Sequence, residues 1–440
     1  MNFHQRLLLC SALLTLMLVS LSVSLTALAA GPFVEPDVIR YQTFNGENIG
    51  DGFGWVGARI SDLNSDGASE IIITAPFFNT AEATTTGKIY IYSGYDGRLL
   101  KTTIGTPQNL FGWSAADAGD VNFDGVSDYV IGGPGGQQGR AIVYSGKDHK
   151  VLYEFKGEAE GDQFGSGVAG AGDVNGDGFG DVLVGAIGVS TVLTESGRIY
   201  LFSGQDGSVL WQKDGQAAQN RLGGGVGRIG DVNGDGTPDQ IGAAVGAGGD
   251  GRGRAYIFSG KNGDILHTLE PTGPAGTPPT FGRFFASGAG DVNGDGVPDA
   301  FVGDYNAQRG EANSTGRAYF FSGADGSALQ VVEAEADGDG IGPGRGIPDI
   351  NGDGKADMIV AAWTSSAGAP AGGKVYLRSG ADGSLLRTVT GSIANDSLGV
   401  DALSLGDVSG DGAPDYLLTA VGLDFQGTDV GHAYIVSFKP

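Results

Sequence analysis

The sequence predicts an all-β fold, a seven-bladed β-propeller of four-stranded blades, and three observations predict it. A nine-residue acidic segment, Asp173-Val-Asn-Gly-Asp-Gly-Phe-Gly-Asp181 in its third copy, occurs seven times. The copies start at Asp62, Asp120, Asp173, Asp231, Asp291, Asp349 and Asp407, spaced by 58, 53, 58, 60, 58 and 58 residues. A period in this range marks an array, a solenoid or a propeller. Around each copy stand four short apolar runs, rich in β-branched and aromatic residues and parted by Gly, Asp and Asn turns. None has the length or the 3.6-residue period of a helix.

The elements follow in chain order. Residues 1–30 read as a secretory signal, with Arg6 as the positive start, an apolar core from Leu7 to Leu25, and Ala27-Leu28-Ala29 as a small-residue cleavage site. Cleavage is expected after Ala29 or Ala30, which implies a secreted, extracellular or periplasmic protein. Residues 31–440 then form the propeller domain. Cys10 is the single cysteine and lies in the signal, so the mature protein needs its core and bound ions in place of disulfides.

The third unit shows the pattern of all seven. It runs from Phe164-Gly165 through an apolar strand A to Gly172, then the acidic loop, then strand B from Asp181 to Ala186. A variable polar segment leads to strand C within Gly197–Gly204, a Gln-Asp-Gly turn, and strand D from Ser208. The last unit ends at Gly431–Phe438 without a strand D, whereas residues 37–44 match strand D of the other units. The N-terminal strand is therefore expected to complete blade 7 and close the ring, removing the open edge of an array.

Each acidic loop carries side-chain oxygens at positions 1, 3, 5 and 9 and glycine at 6. In order these are Asp62, Asn64, Asp66 and Glu70; Asp120, Asn122, Asp124 and Asp128; Asp173, Asn175, Asp177 and Asp181; Asp231, Asn233, Asp235 and Asp239; Asp291, Asn293, Asp295 and Asp299; Asp349, Asn351, Asp353 and Asp357; Asp407, Ser409, Asp411 and Asp415. Calcium takes six to eight oxygens, and a tight loop delivers alternate side chains to one centre. The same residues also suit an ion-free turn. Three carboxylates converging on one small turn repel each other without a cation, and the motif recurs seven times, so the reading is up to seven bound Ca²⁺. Positions 1, 5 and 9 hold 21 carboxylates of a chain whose formal charge is −25. Seven Ca²⁺ would bring that to about −11. The acidity is largely the metal requirement, and it argues against nucleic acid or anionic membrane as a partner. A monomer is expected, with no membrane insertion after signal cleavage.

On these motifs the chain resembles the FG-GAP, or integrin-alpha N-terminal-type, repeat family. Phe-Gly stands at Phe53-Gly54, Phe111-Gly112, Phe164-Gly165 and Phe281-Gly282, softened to Leu222-Gly223, Ile341-Gly342 and Leu398-Gly399. The second half of the signature is looser, as Ala75-Pro76, Gly133-Pro134 and Gly185-Ala186. The resemblance implies a calcium-bearing propeller that acts in adhesion or protein binding. Similar seven-bladed lectins imply carbohydrate as the alternative ligand.

In an up-and-down blade the acidic loops share one face with the C–D turns, and the variable B–C loops lie on the other, where binding is expected. Several of these loops start with aromatics: Phe77, Phe78, Tyr305, Trp363 and Phe425. Rings in several inter-blade clefts would suit a multivalent lectin, and one central patch a protein ligand. Trp55 and Trp113, directly after Phe-Gly, are expected in the inter-blade core. Catalysis is not expected: no nucleophile elbow, HExxH pair or P-loop occurs. A polysaccharide or lipid-linked hydrolase would have to use unrepeated acids such as Asp304, Asp337, Asp339 and Asp424. Asn313-Ser-Thr315 and Asn395-Asp-Ser397 are formal glycosylation sequons.

Overall fold

The computed structural model describes residues 31–191, 193–274, 276, 278–309, 314–421 and 430–439. The expected signal, Asp424, Phe425 and Asn313 lie outside them. The described elements are all strands, grouped into seven antiparallel four-stranded sheets. Six sheets take their strands in chain order, as A-B-C-D blades. The seventh is built from Leu398–Gly406, Asp415–Ala420 and His432–Phe438, with the N-terminal strand Val38–Asn45 on its outer edge. Val38 pairs with Phe438 and Asn45 with His432, with a bulge at Tyr41. The ring is closed as the missing last strand D predicts.

Burial explains the composition of each strand. The B strands, such as Asp181–Ala186 and Asp357–Ala362, are buried along their whole length and read as continuous apolar runs. The D strands, such as Val209–Asp214, alternate because one face meets solvent. Hydrophobic clusters form between neighbouring blades: Phe44, Phe53, Ile71 and Tyr90 pack with Leu403, Val408 and Ile435 across the seam between blades 7 and 1.

The Phe-Gly pairs join the blades. Phe53, Phe111, Phe164 and Phe281 are at most 1% exposed, and Leu222, Ile341 and Leu398 fill the same place. Phe164 bridges in parallel to Gly139, at the start of strand C in the preceding blade, and Phe111 does the same with Gly87. Gly165 has φ +86°, and a Cβ there would lie 2.2 Å from the Arg140 carbonyl oxygen. Glycine is required by both conformation and backbone approach.

Candidate cation loops and the mouth of the channel

All seven acidic loops form the same turn. The position-1 carboxylate accepts backbone N–H groups from inside its own loop. Asp173 takes Gly176 at 2.7 Å, Asp177 at 3.0 Å and Gly178 at 2.8 Å, and Asp231, Asp291 and Asp407 repeat the set. Position 5 accepts the N–H of position 7, as Asp235 does from Thr237 at 2.9 Å. Two residues per loop take positive φ, at positions 4 and 6, for example 76° at Gly176 and 90° at Gly178. Position 4 is Ser65 and Phe123 in the first two loops, which hold the same conformation at 63° and 59°.

The position-9 carboxylates, Glu70, Asp128, Asp181, Asp239, Asp299, Asp357 and Asp415, are all fully buried. In blades 2 to 6 their oxygens accept two or more backbone N–H groups, one from loop position 2 and one from the glycine of the C–D turn. Asp181 binds Val174 at 2.8 Å and Gly204 at 2.9 Å, and Asp128 binds Val121 and Gly146. These acids are thus staples between loop and turn as well as candidate ligands. Loss of hydration on burial raises all seven above the usual carboxylate range, to about 6 at Asp128, Asp181 and Asp299 and about 7 at Glu70.

The first loop differs. Asp62, Asp66 and Glu70 each offer an oxygen, and these three lie within 4.8 Å of one another, the one such acidic triad among the described residues. Glu70 accepts Leu63 N–H at 2.6 Å through Oε2, while its buried Oε1 has no hydrogen-bond partner. An orphaned buried carboxylate oxygen facing two further carboxylates is a donor set suited to a hard cation. In the remaining loops, the lone pairs not taken by amides are the ones a cation would use.

On the opposite face, strand A starts where strand B ends, since Gly57 pairs with Ile73. The residues entering A and leaving B therefore converge around the channel. A cavity of about 360 Å³ opens there, lined by strand A residues from all seven blades. Its rim is aromatic. Trp55 packs on Trp113 at 5.0 Å, Phe77 edge-on at 5.5 Å and Phe284 at 6.0 Å. Phe284 stacks on Tyr305 at 6.2 Å, which meets Trp363 at 6.3 Å. All six rings are half-buried, and the Arg283 guanidinium lies 5.3 Å from the Phe284 ring.

Trp55 and Trp113 thus leave the inter-blade core expected of them. Phe53 does face that core, and strict alternation would send Trp55 the same way, but Gly54 at φ +89° breaks the alternation and turns the indole to the axis. Phe78 remains in the core. A buried charge at the cavity wall gave no signal in the sequence. Asp401 of blade 7 pairs with Arg345 of blade 6 and accepts Gly57 N–H of blade 1 at 3.1 Å. At the acidic-loop end a second cavity, about 280 Å³, is lined by Arg59, Asp117, Arg345 and Ser404. Burial raises the Asp117 carboxyl.

The unrepeated acids do not gather. Asp304 is buried and accepts the Thr280 hydroxyl at 2.7 Å, Asp337 is exposed and paired with Arg309, and Asp339 accepts Ala336 N–H at 2.8 Å. None of the three lines the central cavity. Among the described residues no helix is long and apolar enough to cross a membrane.

Comparison with known proteins agrees with this architecture. The FG-GAP repeat family matches residues 53–92 and 164–202, and the FG-GAP-like repeat family matches 231–302 and 349–418. Similar sequences include rat integrin alpha-7, 33% identical over 167 residues, which are 36% of this chain and 14% of that protein. Chicken integrin alpha-V is 34% identical over 211 residues, 45% of this chain and 20% of that protein. Drosophila integrin alpha-PS5 is 26% identical over 170 residues, 35% and 17% of the two chains. The match thus spans a fifth or less of each relative.

Proposed function

Because the chain is an FG-GAP repeat protein with an integrin-alpha-type propeller, we propose that it is an exported binding module, stabilised by calcium, that recognises a protein ligand at the aromatic mouth of its channel. The observation that carries this reading is the single central patch. Phe77, Tyr305 and Trp363, from three different B–C loops, meet Trp55, Trp113 and Phe284 in one continuous cluster. A multivalent lectin would place equivalent rings in several clefts instead. Half-exposed aromatics beside a guanidinium are the residue types that dominate protein contacts.

The acidic loops do not take part in that contact. Position 1 shapes each loop, position 9 anchors it to the C–D turn in blades 2 to 6, and Ca²⁺ would screen the carboxylates from one another. Extracellular affinities of roughly 10⁻⁴ to 10⁻³ M would keep such sites loaded.

The test is a glycan array run with calcium and again with EDTA, beside capture of surface proteins from the native source by the parent and by Trp113→Ala. A blank array with capture lost in the variant is expected. Calcium-dependent binding to one sugar class would move the function to a lectin.

A further inference from the structure

The two loops at the seam of the ring are unlike the other five. In blades 2 to 6 both oxygens of the position-9 carboxylate meet backbone amides, as at Asp239 with Val232 and Gly260 at 2.9 Å each. In loop 1, glutamate replaces aspartate, and Glu70 Oε1 is buried without a partner. In loop 7 the C–D turn does not exist, because strand D arrives from the N-terminus, so no turn glycine is present to meet Asp415. Its Oδ2 accepts Val408 at 2.9 Å and Ser409 at 2.7 Å, while Oδ1 is buried without a partner. The Ser409 hydroxyl stands close enough to favour the Asp415 carboxylate, though neither its oxygen nor Oδ1 has a partner at full hydrogen-bond geometry. Each residue is fully buried.

These two loops flank one seam, where Ala68 and Val408 share a core cluster with Phe44 of the closing strand. In loops 1 and 6 the position-5 carboxylate is held by a C–D turn serine, Ser93 to Asp66 at 2.9 Å and Ser379 to Asp353 at 3.3 Å. In loop 7 the closing strand supplies the substitute: Tyr41, at the bulge, donates its hydroxyl to Asp411 Oδ2.

We propose that loops 1 and 7 are cation sites of a separate kind, in which a hard divalent cation of the Ca²⁺ class satisfies the orphaned Glu70 and Asp415 oxygens and holds the N-terminal strand in blade 7. The proposal rests on the calcium reading above. Its consequence is local: cation loss opens the ring at this seam before it loosens blades 3 to 5. The chemistry is that of a buried carboxylate oxygen, which needs either donors or a cation. In loops 2 to 6 both carboxylate oxygens have backbone donors, and in loops 1 and 7 only one of the two does. An ion that fixes Asp411 also fixes its bond to Tyr41, and so the strand that carries it.

The experiment is amide hydrogen exchange on the purified protein, with calcium chloride and with EDTA, comparing segments 38–45 and 432–438 with the blade 4 strands 254–258 and 265–269. Chelation should speed exchange at the seam at least about tenfold more than in blade 4. In calcium, Asp66→Asn and Asp411→Asn should speed seam exchange, and Asp235→Asn, at the same exposed position of loop 4, should not. An equal effect of chelation on all blades, or of Asp235→Asn on the seam, would overturn the proposal and leave the general calcium reading standing. No change with EDTA, together with no retained calcium by elemental analysis after dialysis, would overturn both.

Discussion

Trp55 in blade 1 meets Phe284 of blade 5 edge to face, with ring centroids 6.0 Å apart and planes at 82°. Residues from blades that are not neighbours in the ring touch only because both turn toward the axis. The cluster they start therefore caps the channel and does not belong to the interior of any blade.

That placement separates two kinds of buried ring. Trp113 is half-exposed at the mouth, whereas Phe164 is 1% exposed between blades 2 and 3. Phe164→Ala should cost about 3 to 5 kcal/mol, and Trp113→Ala only about 1 to 2 kcal/mol, since a half-wet ring loses less on truncation. Thermal melting at saturating calcium checks the order. A larger loss for Trp113→Ala would return the mouth rings to the core.

The Phe-Gly glycine should be no more replaceable than its phenylalanine. Gly165→Ala meets both the left-handed backbone penalty and the Arg140 carbonyl, which a Cβ would approach to 2.2 Å. The expected loss is more than about 3 kcal/mol, seen as a melting point well below the parent. A melting point unchanged within error would mean that the blades can shift apart at this contact.

Asp304 gives a pH dependence. Burial pushes its carboxyl up to about 6 from the usual 3.8. A folded-state value above the unfolded one contributes stability that is complete below the unfolded value and is lost as pH rises through the folded value. Above pH 6 the buried charge therefore costs on the order of 2 to 3 kcal/mol relative to acid. Asp304→Asn removes that cost, so the melting difference, variant minus parent, should grow more positive from pH 4 to pH 8 with calcium saturating. A difference that is flat or falls with pH would contradict the assignment.

Much of this architecture was legible in the residues because turns need particular chemistry. Glycine at position 6 of every acidic loop, the Asp-Gly turns and the missing last strand D fix seven blades and their closure without any contact being known. The N-terminal strand falls within one residue of its expected bounds, at Val38–Asn45. What could not be read depends on contacts between units. Trp55 defied period-two alternation through one left-handed glycine. The pairing of Arg345 with Asp401 joins blades 6 and 7, and that of Tyr41 with Asp411 joins the two ends of the chain. The orphaned oxygens of Glu70 and Asp415 likewise follow from a longer side chain and an absent turn, and neither is visible as an orphan until the amides around it are placed.

The most direct test of the account is the calcium content of the dialysed protein, measured together with its melting temperature before and after EDTA. Retained calcium and a marked fall in melting temperature on chelation are predicted, because under the proposed function an ion holds the carboxylates of each acidic loop together. A protein that retains no calcium and melts identically in EDTA would contradict it, and would leave the seven loops as ion-free turns.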